Sequence, residues 1–133
     1  MACNQKGFSL VEIMFVVGII GIIMAIAIGG FNLATSKINT MRTETLLGSI
    51  NFGIRQFAMD TSKYPQTLQD LKVRPAGLKG WKGNYVDDSL EFIDVFGNDI
   101  QYHPNAKGAK PPYELYSFGK KGPDGDERIQ VED

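Results

Sequence analysis

Lys6-Gly7-Phe8-Ser9-Leu10-Val11-Glu12 opens onto an apolar run that continues to Phe31, and this stretch decides how the rest of the chain is read. From Ile13 to Phe31 no residue is charged, and apart from Glu12 no charge follows Lys6 until Lys37. A bilayer core about 30 Å thick needs roughly 20 apolar residues of helix, so the run is long enough to span it. Helical pairing also satisfies every backbone group within the segment, and the run contains no proline. Glu12 is the exception to its surroundings. A carboxylate carried to the bilayer centre costs roughly 2.5–3.5 kcal/mol, so a partner for it is expected.

The rest of the composition is that of one modest domain. The 133 residues carry 14 Lys and Arg against 15 Asp and Glu, which gives no electrostatic case for nucleic acid. The only cysteine, Cys3, precedes the apolar run, has no apolar lipobox before it, and has no second thiol for a disulfide or a cysteine metal site. Beyond Phe31 the chain turns amphipathic. Leu33, Ile38, Met41, Leu46, Leu47, Ile50, Ile54 and Phe57 fall near helical spacing, with Lys37, Arg42, Glu44, Arg55 and Asp60 between them. One continuous helix from about Phe8 to about Asp60 is expected, ending before Tyr64-Pro65, because the residue before a proline is pushed out of helical geometry. Gly18, Gly21, Gly29 and Gly30 inside it are either close-packing positions or points of local melting.

After Thr61 the pattern shortens. Thr67 to Lys72 reads as a short helix, and Gly77 to Gly83 as a glycine-rich loop around Trp81. Leu90–Ile93, Ile100–His103 and Tyr113–Phe118 read as short strands, the first two joined by a turn at Phe96-Gly97-Asn98-Asp99. Gly119 to Asp126 is a loop by composition. The fold class is therefore α+β, a long N-terminal helix with a small antiparallel β-sheet on its second half.

The opening motif resembles the N-terminal signal of type IV pilins and type II secretion pseudopilins, the type IV pilin-like family. Members carry a short basic leader ending in glycine, a phenylalanine that becomes the new N-terminus, and a glutamate four residues further on. An ordinary secretory signal has a shorter apolar core and is cut after it, whereas this leader is cut before it. The resemblance implies a leader over residues 1–7, a transmembrane and filament-core helix over 8–31, its amphipathic continuation over 32–60, and a periplasmic globular domain over 61–133. It implies cleavage between Gly7 and Phe8 by a prepilin peptidase, methylation of the Phe8 amine, and a filament-assembly role for Glu12. The soluble half is similar to the major pseudopilin, the G subunit. Gly80-Trp81-Lys82-Gly83-Asn84-Tyr85, Asp94-Val95-Phe96-Gly97-Asn98 and Tyr113-Glu114-Leu115-Tyr116-Ser117-Phe118-Gly119 occur in the family's order. Asn84 departs from the family's proline, and Val95-Phe96 from its Pro-Trp.

The same resemblance implies a structural subunit with no catalytic residues. It would form a homopolymeric helical filament with itself and meet other pseudopilins, an inner-membrane secretion assembly platform, the prepilin peptidase and the lipid bilayer, but no nucleic acid. It would sit in the bacterial inner membrane as a single-pass protein with its N-terminus in the cytoplasm, where Lys6 would stay. The other family member in view is a type IV pilin of a surface fibre for adhesion, motility or DNA uptake, against which the missing disulfide loop counts. The family's C-terminal loop binds calcium, and Asp124, Asp126 and Glu127 beside Gly122 and Gly125 offer oxygen ligands for it. Lys121 stands where the family has an aspartate, and Arg128 lies close behind, so a metal-free loop tied by Lys121 or Arg128 to these acids is the competing expectation. Elsewhere, His103 is the single histidine, Ser9 and Ser117 have no histidine placed by sequence to activate them, and Gly119 to Gly125 lacks the Gly-Lys-Ser/Thr ending of a phosphate loop. Asp87-Asp88 reads as a turn, and Trp81, Tyr85 and Phe92 as core.

Overall fold

The computed structural model describes residues 7–131, with backbone alone at Phe31, Asn32 and Leu33; Cys3, Lys6 and the rest of the expected leader before Gly7 lie outside the described residues. The chain divides into two compact units, Met1–Lys37 and Ile38–Asp133, and α1 (Leu10–Thr61) begins in the first and ends in the second.

In the first unit, residues 7–9 are non-helical, and helical pairing starts where the Ile13 amide donates to the Ser9 carbonyl at 3.2 Å. Glu12 lies in the first turn, where a negative charge complements the helix dipole. Every side chain from Gly7 to Gly30 is exposed, so this stretch of the helix buries no face of its own. The helix is long and apolar enough to cross a membrane, with a mean hydropathy of 2.8 over an 18-residue window.

In the second unit α1 buries one face. Thr43, Leu47, Ile50, Ile54 and Phe57, spaced three and four apart, are 0–1% exposed. They pack with Leu68, Leu71, Val86, Ile100 and Ile129, and Trp81, Tyr85, Phe92 and Tyr102 close over the cluster. Thr43 is tolerated in this stripe because its hydroxyl donates to the Asn39 carbonyl one turn back. Gly53 lies at the closest approach. A Cβ there would come within 2.8 Å of the Tyr85 carbonyl oxygen and of Val86 Cγ1. The helix stops at Ser62, which takes a φ of +58°, and Pro65 follows buried beneath the Tyr102 hydroxyl, which donates to its carbonyl at 2.7 Å.

The sheet has three antiparallel strands in the order β1 (Gln101–Pro104), β2 (Tyr113–Ser117) and β3 (Ile129–Gln130). Gln101 pairs with Tyr116 and Pro104 with Tyr113, while Ser117 pairs with Ile129. Pro104 is accommodated because β1 is an edge strand. The expected short helix is a 3-10 turn at Leu68–Leu71, capped by Thr67 and Asp70.

Two strand expectations differ. Leu90–Ile93 is not a strand; it makes a single bridge, Ile93 to Asp99. The Lys72 ammonium donates to the carbonyls of Asp88 and Leu90, so a side chain takes acceptors that a neighbouring strand would have used. β3 was not expected, since two residues carry no alternation to read. Phe118 leaves β2 early by taking helical geometry ahead of a 3-10 turn at Gly119–Lys121.

These contacts set opposite signs for two glycines of one helix. Gly53→Val is expected to cost about 1–3 kcal/mol through overpacking against backbone. Gly48→Ala, where an added Cβ meets nothing within 4 Å, is expected to gain up to about 1 kcal/mol of helix propensity. Thermal melts of the full chain in detergent, followed by Trp81 fluorescence, measure both.

Candidate functional site

Two places carry the chemistry that the sequence singled out. The first is the head of α1. The Gly7–Phe8 peptide lies in the non-helical segment before Leu10, with the Phe8 side chain exposed and open space around Gly7. Glu12 follows one turn later on an exposed surface of Leu10, Val11, Ile13, Met14 and Phe15. The next charge along the chain is Lys37, 25 residues on, or roughly 37 Å at about 1.5 Å per residue. Glu12 is therefore the sole charge on a long apolar cylinder.

The second place is the junction that anchors the C-terminal loop, and its centre is a carboxylate to which the sequence reading assigned no role. Asp94 is 5% exposed. Its Oδ1 accepts the amides of Phe96 and Asn98, each at 2.8 Å, and its Oδ2 accepts the Ser117 hydroxyl at 2.5 Å and the Asn98 side-chain amide at 3.2 Å. Ser117 in turn accepts the Gly119 amide at 2.9 Å, and Asn98 Nδ2 also donates to the Gly119 carbonyl at 2.8 Å. One carboxylate thus closes the turn before β1 and fastens it to the end of β2. Burial works against the charge, but the donors from Ser117, Asn98 and Phe96 together outweigh it and hold the Asp94 carboxyl below the usual carboxylate range. The signal legible in the sequence was the spacing Asp94-x-x-Gly97-Asn98, in which Gly97 takes a φ of +87°.

The acids expected to receive calcium do not come together. Among the described residues no group of three or more His, Cys, Asp or Glu side chains is placed to hold a metal. Asp124, Asp126 and Glu127 are exposed, and the Lys121 ammonium lies 3.6 Å from Glu127 Oε2. The loop folds so closely over the Lys121 stem that a side chain on Gly125 would collide with its Cβ. Arg128 instead lies over the Tyr116 ring at 4.7 Å. Among the described residues, therefore, the side chains of these acids do not by themselves make up a calcium donor set, and the Lys121 ammonium lies beside one of them.

The remaining candidates are tied into structure. Ser117 is buried with both hydroxyl roles used by Asp94 and Gly119, and His103 is exposed on β1 opposite Glu114. Asp87 caps its own turn through the Ser89 hydroxyl and amide, which hold its carboxyl below the usual range. Asp60, near the end of α1, accepts the Lys82 ammonium at 2.6 Å and the Tyr85 hydroxyl at 3.2 Å, which joins the helix to the loop around Trp81.

Comparison with known proteins gives a consistent set of likenesses. A family described as type II secretion system (T2SS), protein G matches residues 32–132, and a prokaryotic N-terminal methylation motif matches residues 3–28. The chain is 33% identical over 123 residues to the type II secretion system core protein G of Xanthomonas campestris pv. campestris, covering 90% of this chain and 81% of that one. It is 32% identical over 128 residues to the core protein G of Pseudomonas aeruginosa, covering 92% and 88%. Its fold is similar to the crystal structure of the major pseudopilin from the type 2 secretion system of enterohaemorrhagic Escherichia coli. That likeness has a TM-score of 0.58 at 19% identity, covering 72% of this chain and 84% of that one.

Asp94→Ala leaves Ser117 and two amides without their acceptor and is expected to cost at least about 3 kcal/mol. Because the folded pKa is lowered, the carboxylate's contribution is complete above the ordinary carboxylate range and is lost as pH falls through the folded value. A melting series in acid on wild type and variant should therefore converge. Thermal melts in millimolar calcium and in chelator should coincide; a rise with calcium would show that the acids regroup around the ion.

Proposed function

The chain belongs to the type II secretion system protein G family, the pseudopilins, and from that premise we propose how its N-terminus is processed and how it assembles. As a family member it is a structural subunit of the secretion pseudopilus. A prepilin peptidase hydrolyses the Gly7–Phe8 peptide bond, which releases the leader with a new carboxylate on Gly7 and leaves an amine on Phe8. N-methylation keeps that amine basic, so it stays protonated. Support comes from the methylation motif over residues 3–28 and from the non-helical backbone at residues 7–9, which leaves the bond outside α1.

The observation that carries the assembly reading is the isolation of Glu12. In a bilayer, a carboxylate at the head of this cylinder is costly unless a cation meets it. The mature Phe8 amine of a neighbouring subunit supplies that cation. An amine on one copy and a carboxylate on the next make a head-to-tail contact that does not close, and its repetition builds a helical filament. In this reading the apolar half of α1 crosses the inner membrane with Phe8 at the cytoplasmic side, and the folded unit stands in the periplasm. There it meets other pseudopilins, while the assembly platform receives the membrane segment.

The test is intact mass and N-terminal sequencing of protein from its own membranes, with Glu12→Gln alongside. A methylated Phe8 start is expected for both proteins, and Glu12→Gln is expected to insert but to lose at least tenfold in filament yield. A start at Met1 beside an active peptidase would overturn the processing, and wild-type filaments from Glu12→Gln would overturn the pairing.

A further inference from the structure

Where α1 ends, the segment that follows it meets the β1–β2 hairpin around a cleft that the assembly reading does not use. Its volume is about 480 Å³, within the range of about 300–1,000 Å³ typical of small-molecule sites. Lys63, Tyr64 and Gln66 line it from the segment after α1, and Pro104, Asn105 and Lys107 line it from the hairpin.

Both sides of the cleft are fixed by the fold. Ser62 takes a φ of +58° and Pro65 is buried, and Tyr64 between them is left 40% exposed. Tyr113 packs against the Tyr64 ring at 5.3 Å, and its own hydroxyl donates to Asn51 Oδ1. On the hairpin, the Asn105 amide donates to the Pro112 carbonyl at 2.9 Å, and Asn105 Nδ2 donates to the Pro111 carbonyl at 3.0 Å. Those bonds close the loop and leave Asn105 Oδ1 as an acceptor.

Charge decides what the cleft would take. Lys63 and Lys107 both line it, and among the described residues neither ammonium has an ion pair. Asp70, which follows on the Gln66 segment, is committed to the amides of Gln66 and Thr67 at 2.8 and 3.1 Å. A cleft lined by one sign of charge concentrates counter-ions, so an anion belongs here. The exposed Tyr64 ring adds a flat apolar face, and the Gln66 side-chain amide and Asn105 Oδ1 add hydrogen-bonding groups. We propose that this cleft binds an acidic sugar, a pyranose ring that carries a carboxylate. The C–H face of the ring lies on Tyr64, the carboxylate meets Lys63 and Lys107, and the hydroxyls meet Gln66 and Asn105. A purely apolar ligand would leave the two ammonium groups unanswered. An extended acidic peptide is recognised along a sheet edge or a long groove, whereas this cleft is bounded by a closed hairpin. The site lies wholly within the second unit and does not depend on Glu12.

The experiment is saturation-transfer NMR on the full chain in a detergent without a sugar headgroup. N-acetylmuramic acid is set against N-acetylglucosamine, and glucuronic acid against glucose, so that each pair differs chiefly in the carboxylate. At least one acid is expected to give fivefold or more the transfer of its neutral partner. The stronger acid names the source, a cell-wall glycan or a uronate polymer. Lys63→Gln combined with Lys107→Gln, both exposed, is expected to bring the acids down to the neutral level with an unchanged melting temperature. Tyr64→Phe keeps the ring and is expected to keep the binding, whereas Tyr64→Ser is expected to lose it. No transfer from either acid, equal transfer from acid and neutral sugars, or acid binding that survives the double lysine variant would overturn the proposal. Binding of tetraglutamate without transfer from any sugar would overturn it too, in favour of an acidic peptide.

Discussion

A helix offers its whole circumference to whatever surrounds it, and a small domain can cover only part of it. That constraint governs this chain. Of α1 in the folded unit, the domain takes the single row from Thr43 to Phe57 and excludes solvent from it almost completely. In the first unit every described side chain from Gly7 to Gly30 is open. Exposure on this scale, at about 25 cal/mol per Å² of apolar surface, is not a state that a monomer in water sustains. In the proposed assembly a lipid phase and further subunits supply the missing cover.

The domain that remains is small, and it relies on polar fastenings in place of a large sheet. β3 has two residues, and the mature chain as proposed has no cysteine with which to staple its loops. Asp94 ties the Asn98 turn to Ser117, Asp60 ties the helix end to Lys82 and Tyr85, and the Tyr102 hydroxyl holds the Pro65 carbonyl. These bonds differ in what they contribute. The Asp60–Lys82 pair is largely solvent-facing at the lysine end, so its strength is muted by water and salt. Asp94 is shielded and fully provided with donors, so its loss would strand several buried groups at once.

Periodicity and charge made the helix legible in the sequence. The uncharged run to Phe31 and the rows of apolar residues beyond it left no alternative to a long helix, and Tyr64-Pro65 marked its end closely. The sheet was harder to read because its strands are short. At Leu90–Ile93 the apolar pattern was real, but Lys72, distant in sequence, took the carbonyls. At Ile129–Gln130 there was no pattern, only a side chain that fills the space beside Gly119, where an added Cβ would lie 3.2 Å from Ile129 Cδ1. The acids of the C-terminal loop were plain in composition, and Lys121 beside them was one of the two expectations, whereas the seat of Arg128 over the Tyr116 ring was not. Gly53 carried no signal either, since the need for a missing side chain arises from Tyr85 and Val86 across the fold.

Asp94 and Glu12 pose the same electrostatic problem and receive opposite solutions. Asp94 is taken from water by the domain, and the domain provides every donor it needs, so its charge is settled when the unit folds. Glu12 stands on a surface with no cation within some 37 Å along its own helix toward Lys37. A membrane around that surface would raise the cost of its charge without offering anything to balance it. In the proposed assembly the balance comes from the Phe8 amine of another chain, which assigns Glu12 to assembly rather than to folding. On that proposal the two processes separate by residue: the Asp94 junction belongs to the stability of one copy, and Glu12 to the relation between copies.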